Sequence, residues 1–369
     1  MKRVAILFSR FGNPNQPFLT EWFFRISNSE TISIKAFTDI FSREKNRQVV
    51  MLKVKGGIRY FYYLLALFQR AFNPVVRNVN WQLVPISKYQ PDVIHLLNAQ
   101  QIDQYQSLLS NSYVKLVVSF RGFETNVRPK TDPEWLDNLR TIYQQATALH
   151  FVSDFLKNEA IKMGAPKEKC VVIRRSVDTY FFKPRERINT SSMRFIAVGR
   201  LTWQKGYAVL LRAFSEIVKT NTEAILTIIG DGPDAPSFFK DIDALGLTKN
   251  VIHYPYLDRV ALREALWSAD IFVQASLSDA LPNSVLEASA CGLPVISTWT
   301  GGIPEAVNHE QTGLLVSPGD PEALTNAMRS LMDNKNLGLE YGNNGREHMI
   351  NCFSSKTERE NWEHFYLNI

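Results

Sequence analysis

Two carboxylates, Asp279 and Glu287, lie eight positions apart and flank the segment 281–284. This segment has the sequence Leu-Pro-Asn-Ser, which is typical of a helix start, with Asn283 or Ser284 as the predicted N-cap. A helix N-terminus offers free N–H groups and the positive end of a dipole to an anion, while carboxylates accept hydrogen bonds from hydroxyl groups. The combination favours a ligand that carries both phosphates and hydroxyls, such as a sugar joined to a diphosphate.

Two cations precede these carboxylates in the chain. Arg200 and Lys205 belong to the segment 199–206, Gly-Arg-Leu-Thr-Trp-Gln-Lys-Gly, which follows a predicted strand and leads into a predicted helix. Cations on such a loop can stabilise the charge of a diphosphate leaving group without a metal. A solvated pair of surface cations is the alternative, but the preceding strand and the acidic segment downstream favour a ligand site.

Short apolar segments alternate with helix-like ones along the chain, which predicts parallel sheets with helical crossovers. A polar stretch at 185–192 has no apolar periodicity and predicts a linker. We therefore expect two Rossmann-like domains, 1–186 and 187–345, followed by a C-terminal helix in 346–369. Strands of the second domain are predicted at 194–199, 225–229, 251–254, 271–274 and 294–297. Ligands of doubly wound sheets bind beyond the carboxyl ends of such strands.

The composition fits a globular protein of this design. The chain has 369 residues, of which 45% are hydrophobic, enough for two domains with cores of ordinary size. Its three cysteines are widely separated and predict neither a metal site nor a disulfide framework. We find no signal peptide and no apolar run of the ~20 residues that a membrane helix needs, so the expected compartment is the cytoplasm.

Charge is unevenly distributed between the two halves. The first 180 residues carry 25 Lys and Arg against 14 Asp and Glu, whereas the rest carries 17 against 22. The asymmetry suggests an anionic partner for the first half. Nucleic acid is not favoured, because no nucleic-acid-binding motif accompanies the charge.

Further motifs connect the chain with a known family. Asp279 and Glu287 are followed by Gly-Leu-Pro-Val at 292–295 and by Gly-Gly-Ile-Pro-Glu at 301–305. The segment 199–206 adds Gly-Arg-Leu and Lys-Gly to this pattern. Together these motifs make the chain resemble the retaining glycosyltransferases of family 4, also called glycosyl transferases group 1. One departure is that the family usually has Glu where this chain has Asp279, whose side chain is shorter.

The resemblance implies an α/β protein of the GT-B type, with two Rossmann-like domains that face a central cleft and a last helix that crosses back to the first domain. It implies that Arg200 and Lys205 contact the donor diphosphate. Asp279 is then expected to hold hydroxyls of the donor sugar, and Glu287 those of the ribose. These four residues form the expected catalytic set.

The resemblance also implies a wider set of donor-binding residues: Gly12, Arg121, Gly232, Tyr256, Leu257, Leu281, Asn283 and Ser284. Ordinary turns and strand-end packing are the structural alternatives for the glycines and for the segment at Tyr256. Arg121 and Glu124 stand where many relatives carry His-Gly-x-Asp, and an Arg would position phosphate or sugar and would not act as a base. His95 and Glu124 are expected on the acceptor side, with a satisfied structural histidine as the alternative for His95.

The implied activity is transfer of a sugar from a nucleotide-diphosphate sugar to a glycan or lipid-linked glycan, with retention of configuration, in polysaccharide or lipopolysaccharide-type biosynthesis. No cofactor and no metal are expected. Two alternatives stay open: a non-catalytic GT-B subunit that supports a partner enzyme, and a nucleotide-sugar epimerase. A dinucleotide site is set aside, because Gly12 is the single glycine after the first strand.

The segment 43–77 combines eight Lys or Arg with one acid and contains the aromatic-rich run 60–68. The apolar run is too short to span a bilayer, but flanking cations and aromatic residues suit a helix that lies on an anionic membrane. A helix that faces the core of the first domain is the alternative. The expected location is therefore cytoplasmic, with peripheral contact to the inner face of the plasma membrane.

Overall fold

The computed structural model describes residues 1–8, 17–27, 29, 31–38, 49–51, 86, 89–102, 114–185 and 192–369. Gly12 and, apart from Val49–Met51, the basic segment 43–77 lie outside the described residues. The chain divides into two compact units. The first unit comprises Met1–Val152, Leu156–Ile173 and Arg359–Ile369, and the second comprises Ser153–Phe155 and Arg174–Glu358.

The first unit is built on a parallel sheet with the strand order β3-β2-β1-β4-β5-β6-β7. Its strands are β1 (Lys2–Phe8), β2 (Ile32–Thr38), β3 (Val49–Met51), β4 (Val93–Leu96), β5 (Lys115–Phe120), β6 (Ala148–Phe151) and β7 (Cys170–Val172). Every residue of β4 and β6 is buried, as expected for parallel strands covered on both faces. The prediction of a doubly wound parallel sheet is confirmed for this unit.

Helices connect the strands of the first unit. Those that the structure describes between the strands are α1 (Pro17–Ser27), α2 (Pro133–Gln145) and α3 (Asp154–Lys162). Asp132 begins α2, since its side chain accepts a hydrogen bond from the backbone N–H of Trp135, and Pro133 occupies the first helical position. Trp135 is fully buried and donates its indole N–H to the carbonyl of Glu124. This contact anchors the turn that follows β5.

The second unit contains a parallel sheet in the order β10-β9-β8-β11-β12-β13. Its strands are β8 (Arg194–Val198), β9 (Ile225–Ile229), β10 (Val251–Tyr254), β11 (Ile271–Val273), β12 (Val295–Thr298) and β13 (Gly313–Val316). The first five agree with the predicted strands to within a residue or two. Strand β13 was not predicted, because four residues that begin with Gly give little periodic signal.

Helices of the second unit alternate with these strands. They are α4 (Tyr207–Val218), α5 (Ala235–Ala244), α6 (Arg259–Trp267), α7 (Asn283–Ala290), α8 (Ile303–Ala306), α9 (Pro321–Asp333) and α10 (Lys335–Cys352). Their apolar faces cover the sheet through fully buried residues such as Leu211, Phe214 and Met328. No helix among the described residues is long and apolar enough to cross a membrane.

The last helix, α11 (Ser355–Asn368), begins in the second unit and continues into the first, which contains the chain from Arg359 onward. Within the first unit, Trp362 and Tyr366 are 2% and 0% exposed. The Trp362 ring lies 5.4 Å from that of Trp22 on α1, in an edge-to-face arrangement. The end of the chain therefore contributes to the core of the first unit.

Candidate functional site

The strand order of the second unit places two loops side by side. From β8 the chain moves outward through β9 to β10 and then returns to β11, on the other side of β8. The loops that leave β8 and β11 therefore meet at the carboxyl edge of the sheet, where its strand order reverses. Such a switch point is the usual ligand site of a doubly wound sheet.

The loop after β8 contributes a cation and the loop after β11 a carboxylate. Nζ of Lys205 lies 2.6 Å from Oδ2 of Asp279, and the side chains are 20% and 13% exposed. Main-chain bonds hold the two loops together, since the N–H of Leu277 donates to the carbonyl of Gln204 at 2.7 Å. The structure thus joins Lys205 and Asp279 directly, a contact that the sequence analysis did not predict.

Uncharged groups surround the same carboxylate oxygen. Gln274 donates its amide to Oδ2 of Asp279 at 3.2 Å and to the Ser276 hydroxyl at 2.9 Å, and Ser276 lies 3.5 Å from Oδ2. The Ser284 hydroxyl in turn donates to the Gln274 amide oxygen at 2.7 Å. All described donors to this carboxylate converge on Oδ2, which leaves Oδ1 as the oxygen able to accept hydrogen bonds from a ligand.

Sequence reasoning missed Gln274 and Ser276. A Gln directly after an apolar strand is a common surface residue, yet this one is 4% exposed, and Ser276 is 0% exposed. The available signal was their position at the carboxyl end of β11, since Gln274 lies five residues and Ser276 three residues before Asp279.

Two glycines, one after β8 and one after β12, allow the backbone to approach the loop after β11 closely. Gly206 has φ +66°, and a Cβ there would lie 2.0 Å from the carbonyl oxygen of Ala275. Gly301 has φ +58°, and its Cβ would lie 1.5 Å from the carbonyl oxygen of Asp279. A side chain at either position would displace the loop after β11.

Arg200 lies in the loop after β8, with its side chain exposed to solvent. No described residue forms a hydrogen bond or ion pair with its guanidinium, whereas the next residue is fixed by a bond from the Leu201 N–H to the Asp231 carbonyl at 3.0 Å. Gly232 permits this approach, because a Cβ there would lie 2.2 Å from the Leu201 carbonyl oxygen. The backbone is thus held in place while the Arg200 side chain stays accessible.

Helix α7 begins at Asn283 with Pro282 as its N-cap, and no side chain caps it. The prediction of Asn283 or Ser284 as the N-cap was wrong, because the Ser284 hydroxyl is directed to Gln274 instead. The first-turn N–H groups therefore have no side-chain acceptor of the capping type, which suits an anion. Leu281 before the helix is 1% exposed and anchors the loop in the core. Nη1 of Arg175 lies 3.4 Å from Oδ1 of Asn283 at this helix end.

Three further residues expected on the donor side lie on α7 and after β10. Glu287 is half-buried on α7, one helical turn after Asn283. Tyr256 is 72% exposed and Leu257 half-buried, and both follow β10 at the edge of the sheet. The described contacts do not join Tyr256 or Leu257 to the Lys205–Asp279 pair.

Glu305, which ends the Gly-Gly-Ile-Pro-Glu motif, binds a different part of the second unit. Its carboxylate accepts hydrogen bonds from the N–H of Phe155 at 2.9 Å and from Nε of Arg174 at 2.8 Å. Arg174 also forms an ion pair with Asp154. Glu305 therefore fixes residues 153–155 to the body of the second unit.

Arg121 and Glu124 belong to the first unit. Nε of Arg121 donates to the carbonyl of Leu97 at 2.8 Å, and its backbone N–H donates to the Glu124 carboxylate. Glu124 is 2% exposed. These contacts give Glu124 a structural part in the turn after β5.

His95, the other residue expected on the acceptor side, is fully buried in a chain of hydrogen bonds. Its Nδ1 lies 2.5 Å from the Tyr366 hydroxyl and its Nε2 2.7 Å from the Ser119 hydroxyl. Ser119 also lies 2.7 Å from Nδ1 of His150, whose Nε2 lies 2.9 Å from the Ile173 carbonyl.

The direction of this chain follows from its last acceptor. A carbonyl can only accept, so His150 carries its proton on Nε2, and the Ser119 hydroxyl donates to Nδ1 of His150. Ser119 then accepts from Nε2 of His95, and Tyr366 donates to Nδ1 of His95. Burial first, and then His150 and Arg121, hold the pKa of His95 well below its usual value, which matches this neutral imidazole. The geometry corresponds to the satisfied structural histidine considered in the sequence analysis.

Comparison with known proteins agrees with this architecture. The solved structure of Anabaena HepE in complex with UDP and glucose superposes with a TM-score of 0.78 over 100% of both chains, at 16% sequence identity. That level of identity establishes the fold alone, which is the α/β GT-B fold.

A family model matches part of the second unit. Residues 178–348 match the model described as glycosyl transferases group 1, so this region resembles members of that family. It is 27% identical over 264 residues to N-acetyl-alpha-D-glucosaminyl L-malate synthase of Bacillus anthracis, covering 69% of this chain and 68% of the relative. It is 25% identical over 351 residues to sulfoquinovosyl transferase SQD2 of Arabidopsis thaliana, covering 87% of this chain and 66% of the relative. The chain thus spans about two thirds of the length of these curated relatives.

Proposed function

We propose that this protein transfers a sugar from a nucleotide-diphosphate sugar to a hydroxyl of a glycan or lipid-linked glycan, with retention of anomeric configuration. The observation that carries the proposal is the Asp279 carboxylate, with Oδ2 held by Lys205, Gln274 and Ser276 and Oδ1 free of described donors. It lies in the loop that leads to the uncapped N-terminus of α7. This arrangement offers a hydroxyl acceptor and an anion site to one ligand.

The residue roles follow from charge and exposure. Arg200 and Lys205 would stabilise negative charge that develops on the departing diphosphate, a task for preorganised cations. The N–H groups at the start of α7 would add to this, because the positive end of the helix dipole favours phosphate. Oδ1 of Asp279 would accept from donor-sugar hydroxyls, and Glu287 from those of the ribose.

Retention fits a same-face attack in which the departing phosphate takes the proton of the acceptor hydroxyl. The role assigned to Asp279 is to accept hydrogen bonds, and its Oδ2 already accepts one from Lys205 at 2.6 Å. We also propose that no metal is needed, since the two cations supply the positive charge. A nucleotide-sugar donor is further supported by the related fold of HepE, which was solved with UDP and glucose.

The acceptor class remains part of the proposal and rests on the family resemblance. Synthesis of polysaccharide or lipopolysaccharide would place the enzyme at the inner face of a membrane. The basic segment 43–77 would then supply the contact with anionic lipid.

Thermal unfolding in the presence of nucleoside diphosphates and their sugars tests this function, because a ligand of the native state raises the melting temperature. We expect one base to stabilise the protein, with and without EDTA, and the shift to disappear in Lys205→Ala. A shift that EDTA abolishes would exclude metal independence. No shift with any nucleotide, together with no release of nucleotide in the presence of glycan acceptors, would support the non-catalytic alternative. Conversion of the free donor to its epimer without acceptor would support the epimerase.

A further inference from the structure

Gln274 occupies an unusual place for a buried amide. It is 4% exposed, follows β11 directly, and uses both ends of its side chain within the candidate site. Its nitrogen donates to Asp279 at 3.2 Å and to Ser276 at 2.9 Å, and its oxygen accepts from Ser284 at 2.7 Å. One amide therefore links the carboxylate to the second residue of α7.

The orientation of this amide is determined by its neighbours. If the amide were flipped, its oxygen would face the Asp279 carboxylate, and two acceptors without a proton between them would repel each other. The main chain is held as well, since the Ser297 hydroxyl donates to the Gln274 carbonyl at 2.8 Å and Thr298 donates to the Ser276 carbonyl at 2.6 Å. The neighbouring strand β12 thus supports the whole arrangement.

We infer that Gln274 is a positioning residue, which keeps Oδ1 of Asp279 directed to the donor sugar while Lys205 is engaged by the diphosphate. This inference rests on the proposed function. In that proposal Lys205 interacts with two anions. It contacts the Asp279 carboxylate at 2.6 Å, and it is also expected to bind phosphate. A diphosphate that draws the ammonium away removes the shortest contact to Oδ2, and the neutral donors from Gln274 and Ser276 remain to hold the carboxylate.

A further consequence concerns the start of α7. Because Ser284 and Asp279 share the same amide, a shift of the carboxylate is transmitted to the first turn of the helix and from there to its N–H groups. Gln274 therefore acts through Asp279 and Ser284 and need not contact the substrate.

The test separates the sugar-dependent part of donor affinity from the nucleotide part. Dissociation constants are measured by calorimetry for UDP and UDP-glucose, GDP and GDP-mannose, and ADP and ADP-glucose, for the wild type and Gln274→Met. The change to Met keeps the side-chain length and removes both hydrogen-bonding ends. We expect affinity for the preferred nucleoside diphosphate to stay within about twofold, and the extra affinity due to the sugar to fall about tenfold. Gln311→Met, an exposed Gln of the same unit, is the matched control and should change neither constant.

A second variant distinguishes the positioning role of Gln274 from a purely structural one. In Gln274→Glu the new carboxyl can donate one hydrogen bond to Asp279 when protonated, but it repels Asp279 when ionised, and the proximity of two carboxylates raises the pKa at which this occurs. We expect sugar-dependent affinity close to that of the wild type near pH 5 and a loss near pH 8, while the wild type changes little between them.

The outcomes distinguish the inference from the function on which it rests. A wild type that binds none of the six ligands contradicts the proposed function. A wild type that binds a nucleotide sugar, with an unchanged sugar contribution in Gln274→Met and no pH effect in Gln274→Glu, contradicts the role of Gln274 alone. Equal losses for nucleotide and nucleotide sugar in both variants at all pH values would indicate a general packing role and would also overturn the inference.

Discussion

Lys205 and Asp279 form an ion pair of 2.6 Å between residues 74 positions apart in the chain. Each side chain is at least four-fifths buried. The pair joins the loops that leave the two adjacent strands β8 and β11, at the point where the sheet order reverses. The coupling energy of this pair can be compared with that of an exposed ion pair that has the same N–O distance.

We expect a coupling energy of about 1–3 kcal/mol between Lys205 and Asp279, between the values typical of exposed and buried pairs. A double-mutant cycle with Lys205→Met and Asp279→Asn, followed by urea unfolding, gives this value. Glu216 at the end of α4 and Lys219 directly after it are the control, because they are also 2.6 Å apart but Lys219 is 67% and Glu216 46% exposed. Equal coupling in the two cycles would contradict the importance of burial at the site.

Replacement of Arg200 by Ala should leave the free energy of unfolding unchanged, since its exposed guanidinium has no described protein partner. The same change should weaken binding of the preferred nucleoside diphosphate about tenfold, the loss expected for a charged hydrogen bond. Urea unfolding and calorimetry measure the two effects. Arg212→Ala, at an exposed position on α4, should change neither, and unimpaired binding in Arg200→Ala would remove Arg200 from the site.

Gly301→Ala should disrupt the site more than its backbone conformation alone explains. The added Cβ would meet the Asp279 carbonyl oxygen at 1.5 Å, so the loop after β11 must move. Gly246 has a comparable φ of +68° and nothing within 4 Å, so Gly246→Ala measures the conformational strain alone, about 1 kcal/mol. We expect Gly301→Ala to lose at least ~2 kcal/mol more and to bind nucleotide sugars poorly. Similar unfolding curves for the two variants would mean that the loop adapts without cost.

Stability should fall as the pH drops below about 6.5, the ordinary pKa of histidine. Burial lowers the pKa of His95 in the folded protein, so in this range the unfolded chain binds the proton that the folded chain excludes. The contribution is therefore fully present above the unfolded pKa and is lost progressively below it.

The measurement is the slope of unfolding free energy against pH for the wild type and for His95→Gln. The variant should show a smaller slope, although not zero, because burial also lowers the pKa of His348. His309→Gln, at an exposed position, is the control. An unchanged slope in His95→Gln would show that His95 becomes protonated in the folded state.

The basic segment 43–77 should mediate binding to anionic membranes. Replacement of Lys53, Lys55 and Arg59 by Gln should reduce binding to vesicles that contain phosphatidylserine, by roughly 10- to 100-fold if each charge contributes ~0.5–1 kcal/mol. Sedimentation with vesicles at low and physiological salt measures this. Substitution of three Lys on the second unit, Lys219, Lys240 and Lys249, serves as a charge-matched control. Equal binding by both variants would rule out a specific role for the segment.

The local pattern of the sequence was enough to predict the strands of the second unit and the start of a helix after Leu281. Short apolar runs bounded by turn residues are a local signal, and β8, β9 and β10 follow it closely. The signal failed for β13, whose four residues carry little pattern. It also failed for the cap of α7, since a Ser at a helix start can donate to a distant group as readily as it can cap.

The sequence alone also determined which residue types were available: Arg200 and Lys205 after one strand, Asp279 and Glu287 around another. Only the tertiary structure decided that Lys205 meets Asp279, that Gln274 and Ser276 hold the same oxygen, and that His95 is saturated by Tyr366 and Ser119. These contacts join residues up to 271 positions apart. They depend on which strands become neighbours in the sheet, and that order follows from the packing of the whole unit, which no local pattern of residues contains.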